Sequence, residues 1–325
     1  MENRDHGKFR IIIVLLCLLL SSVSSSIFSE TNNHTHPSIT KQKTAQPPLD
    51  APSEEIHSTD TPASPKNNGQ TSQSPTSTHA GNDSLYGISF YEPTYALPFY
   101  YTFNPDQAVY QGYTPENQRL LNEEFKGQLS FKFPLWADMF GSKFSIAAYY
   151  TQLSYWQFYA KSQYFRETDY EPALYIVYDF LPHWSVASGL DHQSNGRGGN
   201  LERSWNRVFF DLVYASDHWY VSIKPWFLVF KSDSSDLHNP NITDYLGYGR
   251  IVVAFQFYEQ EISVMVRNAI ESDFSKGAIE LDYSFPIHGV LHGYIQFFSG
   301  YGQSLIEYDH YTNSVGVGIA ISNWI

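Results

Sequence analysis

The chain has 325 residues, a formal net charge of −13 and a mean hydropathy of −0.34. The acidic balance excludes a nucleic-acid partner, since no basic stripe is available for phosphates, and the low hydropathy excludes a helical membrane protein. Aromatic residues make up 17% of the chain, with 25 Tyr, 23 Phe and 7 Trp. That content is typical of the aromatic girdles of transmembrane β-barrels. The mean hydropathy of such barrels is low because apolar residues alternate with polar ones along each strand.

Residues 1–25 are predicted to be a secretory signal peptide. A basic start precedes an apolar run at 11–20 that is too short to span a membrane as a mature helix, and small residues follow it. Cys17 lies in that run, and the large side chain of Leu16 before it disfavours lipid attachment. Because Cys17 is the only cysteine, cleavage near Ser25 would leave a mature chain without disulfides, cysteine nucleophiles or thiolate metal sites.

Residues 26–85 are predicted to form a disordered spacer. The segment is rich in Ser, Thr, Pro, Asn and Gln and has almost no bulky apolar side chains. Such a composition cannot bury enough surface to offset the entropy that is lost on ordering. Its four histidines, which no preformed geometry would bring together on a metal, are His34, His36, His57 and His79.

From residue 86 to residue 325 the sequence predicts one all-β domain, a twelve-stranded antiparallel transmembrane β-barrel in the bacterial outer membrane. Short connections alternate with long polar ones, as expected when one end of a barrel faces the periplasm and the other the exterior. In the last strand, branched Val317 and Ile319 alternate with small Gly316 and Gly318, so one face suits lipid and the other a crowded lumen. The predicted strands are 95–104, 124–133, 143–157, 172–180, 183–192, 205–215, 217–230, 245–258, 260–268, 275–286, 291–299 and 313–324.

Two other interpretations of the alternating strands remain open. A soluble β-sandwich esterase would show the same alternation over shorter strands, although strand lengths near ten residues with Tyr and Trp at strand ends favour the membrane barrel. A non-catalytic outer-membrane barrel, a small pore or an adhesin, would use the long loops for binding. Its ion conductance or ligand binding would be insensitive to changes at His192.

One hairpin combines the residue types of a serine hydrolase. In the fifth predicted strand, His192 shares a face with the bulkier and more apolar residues, and Ser194 keeps the same side if the strand continues. In the sixth, Asn206 also lies on the apolar face. A hairpin centred on Gly199 places His192 opposite Asn206, within roughly 5 Å at the β-carbons. We therefore expect the three side chains to meet on the lipid-facing wall.

This combination predicts acyl transfer. His192 would take the proton of the Ser194 hydroxyl and return it to the leaving alcohol, and Asn206 would hold the imidazole tautomer. Asp191 is adjacent and charged, but the pleat points it into the lumen, and a lone carboxylate facing lipid would cost several kcal/mol. A hydrolase whose site faces lipid is expected to hydrolyse lipids.

The segments His192-Gln-Ser194-Asn-Gly-Arg197 and Arg203-Ser-Trp-Asn206-Arg207 closely resemble the signature of the outer membrane phospholipase A family. The resemblance covers about residues 86–325. It implies a twelve-stranded barrel that hydrolyses the acyl esters of phospholipids and lysophospholipids, depends on calcium and is active as a homodimer. Further similar segments are Tyr150-Thr-Gln-Leu-Ser154, Phe165-Arg-Glu-Thr168, Tyr170-Glu-Pro172, Lys224-Pro-Trp226, Tyr245-Leu-Gly-Tyr248 and Ser299-Gly-Tyr-Gly302.

The same resemblance implies roles for individual residues. Ser194 would be the nucleophile, His192 the base and Asn206 its partner, while the Gly196 amide would contribute to the oxyanion site together with a calcium-polarised water.

The calcium ion would be held by the Arg197 carbonyl, by Glu202, where the family pattern leads us to expect a hydroxyl, and by Ser162 from the second subunit. Gln152 matches the glutamine at the family's dimer interface. A second calcium site is not expected, because the positions that would supply its acids are Gly199 and His238.

Overall fold

The computed structural model describes residues 87–229, 238–268 and 275–325. The predicted signal peptide (1–25) and spacer (26–85) lie outside these ranges. No helix within them is long and apolar enough to cross a membrane.

Within those ranges nearly all regular structure is β. One short helix, α1, covers Ile242–Leu246, and single 3₁₀ turns occur at Pro115–Asn117, Met139–Gly141 and Gly199–Leu201. The strands are β1 (Ser89–Phe90), β2 (Thr94–Thr102), β3 (Glu123–Trp136), β4 (Phe144–Trp156), β5 (Phe165–Leu181), β6 (Trp184–Ser194), β7 (Ser204–Ala215), β8 (Trp219–Leu228), β9 (Gly249–Phe257), β10 (Gln260–Asn268), β11 (Gly277–His288), β12 (Leu291–Tyr301) and β13 (Tyr311–Ser322).

Strands β2 to β13 form a closed ring. Each pairs antiparallel with its neighbours along the chain, and β13 pairs back onto β2, while the two-residue β1 adds to β3. The prediction of a twelve-stranded antiparallel barrel is therefore confirmed. Closure leaves no open edge in the ring and satisfies the backbone hydrogen bonds internally, which a hydrocarbon environment requires. The ring also eliminates the β-sandwich alternative.

The connections divide the barrel into two ends. The short connections after β5, β7, β9 and β11 lie at one end, here called the turn end. The longer connections lie at the other, the loop end, and include 157–164, 195–203 and 302–310.

The two faces of the wall alternate as predicted. On β6, Leu190 is 47% exposed while its neighbour Asp191 is buried, and on β7 exposed Phe210 is followed by buried Asp211. Large apolar side chains on the outward positions of the other strands are likewise exposed. The outer wall is therefore an apolar surface that suits lipid contact. Examples are Ile176, Leu212, Ile223, Phe227, Ile251, Ile262, Val317 and Ile319.

The inside of the barrel is a packed polar network around a small cavity of 150 Å³. Asp191 accepts hydrogen bonds from Arg207 Nε (2.6 Å) and from the Tyr149 hydroxyl (3.2 Å), and Arg207 also pairs with Glu171 (3.1 Å). Buried charges that are paired and hydrogen-bonded in this way avoid the desolvation cost of an isolated ion. Asp191 is thus committed to the lumen, as the pleat predicted.

The connection 302–310 reaches into the lumen at the loop end. Leu305 and Ile306 are buried, and their amides donate to Asp169 Oδ2 (2.9 Å) and Glu167 Oε1 (3.2 Å). Burial raises the pKa of the Tyr308 hydroxyl to about 12, so it remains neutral and donates to Asn241 Oδ1 (2.8 Å). This connection therefore fills part of the lumen and is hydrogen-bonded there to β5 and to the connection that leads into α1.

One predicted boundary differs from the structure in a way that matters for the site. β5 begins at Phe165, seven residues before the predicted start at 172. Its first part pairs with β4 up to Trp156 with a shift in register, and two consecutive residues, Arg166 and Glu167, are both buried. A β-bulge of this kind breaks the alternation by which a strand is recognised in sequence.

Candidate active site on the outer wall

His192 and Asn206 form the central pair of the site. They are directly opposed in the β6–β7 register, and His192 Nδ1 lies 2.8 Å from Asn206 Oδ1. An amide oxygen can only accept, so Nδ1 carries the proton and Nε2 is left as the acceptor. Both side chains lie on outward positions of their strands and are half-buried.

Ser194 is the last residue of β6 and lies on the same face as His192. Its backbone is opposed to Tyr170 on β5 and to Ser204 on β7. Side chains two positions apart on a strand are separated by about 6.6 Å along it, and the Ser194 hydroxyl makes no hydrogen bond with any residue in the described ranges. The hydroxyl is therefore not bonded to Nε2 in this structure, and hydrogen bonds between a nucleophile and its base are often long when no substrate is bound.

Gln152 lies in the same row of the sheet as Ser194. Gln152 opposes Tyr170, and Tyr170 opposes Ser194, so one ladder row runs across β4, β5 and β6. The Gln152 amide accepts from the Tyr150 hydroxyl (2.9 Å) and donates to Ser154 Oγ (3.2 Å). The outward-facing amide therefore has hydrogen-bond partners within its own chain, which lowers the cost of placing it toward lipid.

The loop 195–203 follows Ser194 and carries most of the remaining predicted site residues. Gly196 has φ +61°, and a Cβ added there would lie 3.0 Å from the Tyr170 ring. Both the left-handed backbone and the close ring favour glycine at this position. The neighbouring Gly198 has φ −121° and open space around it.

Asn195 organises this loop and was missed by the sequence analysis. It is buried, and its amide nitrogen donates to Leu201 O (2.8 Å) and Glu167 Oε1 (2.9 Å). Its amide oxygen accepts from the backbone N–H groups of Arg197 (3.3 Å) and Arg203 (3.0 Å). All four hydrogen-bonding positions of the side chain are used, so Asn195 ties the two ends of the loop together.

Two oxygen groups of the loop are available for a cation. The Arg197 carbonyl and the Glu202 carboxylate have no hydrogen bond or ion pair with any residue in the described part of the chain, and both are the hard ligands that Ca²⁺ prefers. The same ranges hold no cluster of three or more His, Cys, Asp or Glu side chains suited to a metal. A cation at this loop would therefore depend on backbone and hydroxyl oxygens beside one carboxylate.

Ser162 lies in the connection 157–164 rather than at the loop 195–203. Its hydroxyl donates to Glu116 Oε1 (3.1 Å), and its backbone N–H donates to Gln118 Oε1 (3.3 Å). These partners belong to the connection between β2 and β3. Within one chain, the structure thus holds Ser162 by contacts separate from those of Arg197 and Glu202.

Comparison with known proteins identifies the family. The sequence profile of the family described as Phospholipase A1 matches residues 72–321. The chain is 37% identical over 253 residues to the phospholipase A1 of Klebsiella pneumoniae, covering 74% of this chain and 85% of that protein. It is 34% identical over 253 residues to the phospholipase A1 of Escherichia coli K12, with 74% and 84% covered.

Solved structures agree with this assignment. The outer membrane phospholipase A of Escherichia coli superposes with a TM-score of 0.68 at 33% identity, covering 75% of this chain and 95% of that one. The Salmonella typhi outer membrane phospholipase, described as a dimer with bound calcium, gives a TM-score of 0.67 at 32% identity, covering 74% and 94%. The chain belongs to the phospholipase A1 family, and it is an outer-membrane β-barrel phospholipase.

Proposed function

We propose that this phospholipase is calcium-dependent and hydrolyses the acyl ester bonds of phospholipids and lysophospholipids with a Ser194–His192–Asn206 triad on the lipid-facing wall. The observation that carries the proposal is the hydrogen bond from His192 to Asn206 on the outward face. That bond leaves Nε2 free to accept a proton, and Ser194 lies two positions further along the same face of β6. Membership of the phospholipase family disfavours the pore or adhesin alternative.

In the first half of the reaction, Ser194 Oγ attacks the ester carbonyl carbon while His192 Nε2 accepts the hydroxyl proton. The imidazolium then gives this proton to the leaving oxygen, and the alcohol departs from an acyl-serine. In the second half, a water attacks the acyl-serine, His192 takes one of its protons, and fatty acid leaves as Ser194 regains its hydrogen. Asn206 keeps the same ring nitrogen facing the site throughout.

The tetrahedral intermediates carry a negative oxygen that needs donors. The backbone N–H of Gly196 is proposed to supply one, in a loop whose ends Asn195 holds. A calcium ion bound nearby would supply positive charge to polarise the carbonyl. Its proposed ligands are the Arg197 carbonyl, the Glu202 carboxylate and Ser162 from a second subunit, which are oxygen donors as Ca²⁺ requires.

A homodimer is proposed to be the active form. Gln152 would lie at the interface between the two barrels, and supply of Ser162 by the second subunit would leave the calcium site of a monomer incomplete. The description of the Salmonella typhi relative as a dimer with bound calcium supports this proposal. Sedimentation in detergent should show a dimer that forms with calcium and dissociates with chelator.

The direct test is release of fatty acid from mixed micelles of phospholipid and detergent. Ser194→Ala is expected to abolish fatty-acid release in the presence of calcium. Chelator is expected to abolish release by the unaltered protein. Ser204→Ala is the matched control, because Ser204 is the register partner of Ser194 on β7 and has no proposed role. Unchanged release by the Ser194 variant would overturn the triad.

A further inference from the structure

The carboxylate of Glu167 connects the lumen to the loop 195–203. Glu167 lies near the loop end of β5 and is fully buried. Its Oε1 accepts from the Asn195 amide (2.9 Å) and from the Ile306 backbone N–H (3.2 Å), and its Oε2 pairs with Arg197 Nε (3.1 Å). Two side chains of the loop therefore converge on one buried acid, which the connection 302–310 holds in place from inside the barrel.

The contact with Asn195 reaches both proposed loop ligands of calcium. Asn195 accepts from the N–H groups of Arg197 and Arg203. The carbonyl of Arg197 is itself a proposed ligand, and Arg203 directly follows Glu202, the other proposed ligand of the loop. Fixing the Asn195 amide thus fixes the backbone at both ligand positions. A neutral side chain at position 167 could still accept one hydrogen bond. It could not keep the contacts with Asn195, Ile306 and Arg197 together.

The ion pair between Glu167 and Arg197 affects the charge near the proposed calcium site. The Arg197 guanidinium belongs to the same residue as the proposed carbonyl ligand, and it is held near the barrel rim by Glu167 and by the carbonyls of Phe165 and Arg166. Glu167 neutralises this guanidinium. Without the carboxylate, an unpaired positive charge would remain beside a calcium site, where like charges repel across a poorly screened environment.

We propose that Glu167 is a positioning residue that presents the loop 195–203 to calcium through Asn195 and Arg197. The inference rests on the proposed function, since it assumes calcium at this loop. Glu167 does not touch the ion or the substrate. It acts by orienting the loop oxygens, as outer groups that hold metal ligands do in other sites.

The test compares Glu167→Gln with Glu171→Gln in the full-length protein purified in detergent. Glu171 is the matched control, because it is also a lumenal acid of β5 and pairs with an arginine, Arg207 (3.1 Å), yet it has no hydrogen bond to the loop. Calcium binding is measured by calorimetry, and activity is measured over a range of calcium concentrations. A folded barrel is verified by the change in electrophoretic mobility on heating.

Glu167→Gln is expected to raise the calcium concentration for half-saturation by about 10- to 100-fold, with kcat at saturating calcium within a few-fold of the unaltered protein. Glu171→Gln is expected to leave that concentration within about twofold. In the presence of chelator, hydrogen exchange at the backbone amides of Arg197 and Arg203 should be faster in Glu167→Gln than in the unaltered protein. Glu171→Gln should show no such change. This last measurement involves neither calcium nor activity.

Equal calcium binding and equal exchange in the two variants would overturn the inference. If the unaltered protein neither binds calcium nor hydrolyses phospholipid, the proposed function fails instead, while the exchange measurement still tests the anchoring of the loop. Should Glu167→Gln fail to fold, Asn195→Ser is tested instead. It removes the hydrogen bonds by which Asn195 holds the two ends of the loop, and it leaves the ion pair between Glu167 and Arg197 in place. That variant is expected to show the same loss of calcium binding, and normal binding by it would refute the proposal.

Discussion

His192 and Asn206 face each other across β6 and β7, with 2.8 Å between the imidazole Nδ1 and the amide oxygen. This hydrogen bond favours one tautomer of the ring without placing a charge on the apolar outer wall. An acid in the same position would have to shed its hydration next to hydrocarbon. A neutral partner therefore suits a histidine on this side of the barrel.

Asn206→Ala should lower kcat by about 10²-fold, at the lower end of what a positioned general base contributes. The reason is that the imidazole would no longer be held in one tautomer, whereas substrate binding would be unchanged. KM is therefore expected to stay within about threefold. Val208→Ala, the next outward position on β7, should keep full activity. A small effect at Asn206, equal to that at Val208, would contradict the assigned partner.

Asp191→Asn tests the lumenal acid separately from the proposed catalytic pair, His192 and Asn206. Asp191 pairs with Arg207 and Lys224 and accepts from Tyr149, so its neutralisation should destabilise the barrel by about 3 kcal/mol, the lower range for breaking a buried pair. The folded fraction should nevertheless retain its kcat. Stability is measured by urea unfolding from lipid vesicles. A loss of kcat comparable to that of Asn206→Ala would make Asp191 the orienting group instead.

Gly196→Ala should reduce activity, while Gly198→Ala should not. Alanine at 196 would need a left-handed backbone, at a cost of about 1–2 kcal/mol, and would press on the Tyr170 ring at 3.0 Å. Position 198 has φ −121° and free space. The ratio of the two kcat values at saturating calcium measures the difference. Equal values would contradict the requirement for glycine at position 196 in the active loop.

Glu202→Gln should weaken calcium binding by about tenfold, because it removes the formal charge of a proposed hard ligand. The carboxylate has no partner in the described part of the chain, so the melting temperature in chelator is expected to stay the same. Calorimetric titration with calcium checks the first expectation and thermal unfolding the second. An unaltered titration would exclude Glu202 from the site.

The sequence was sufficient to predict the ring because the two faces of the wall depend on strict alternation. Leu190 and Phe210 point out and Asp191 points in, as counting along β6 and β7 requires. The resemblance to the phospholipase family, now confirmed, named the same positions.

Glu167 and Asn195 could not be predicted in the same way. The bulge at the start of β5 buries Arg166 and Glu167 together, which breaks the period of two. Glu167 also contacts Asn195 and Ile306, which are 28 and 139 residues away along the chain. The only sequence signal was the family-like segment at 165–168, which gave no role to its acid.

The most direct measurement of the central claim is covalent labelling with a long-chain sulfonyl fluoride in detergent, followed by mass spectrometry of the peptides. A sulfonyl fluoride reacts with a serine that a neighbouring base has activated. The label is expected on Ser194, in proportion to the activity lost, and it should be absent from Ser204 and from the His192→Ala variant. Inactivation with the label at any other residue, or labelling of Ser194 that does not depend on His192, would contradict the account.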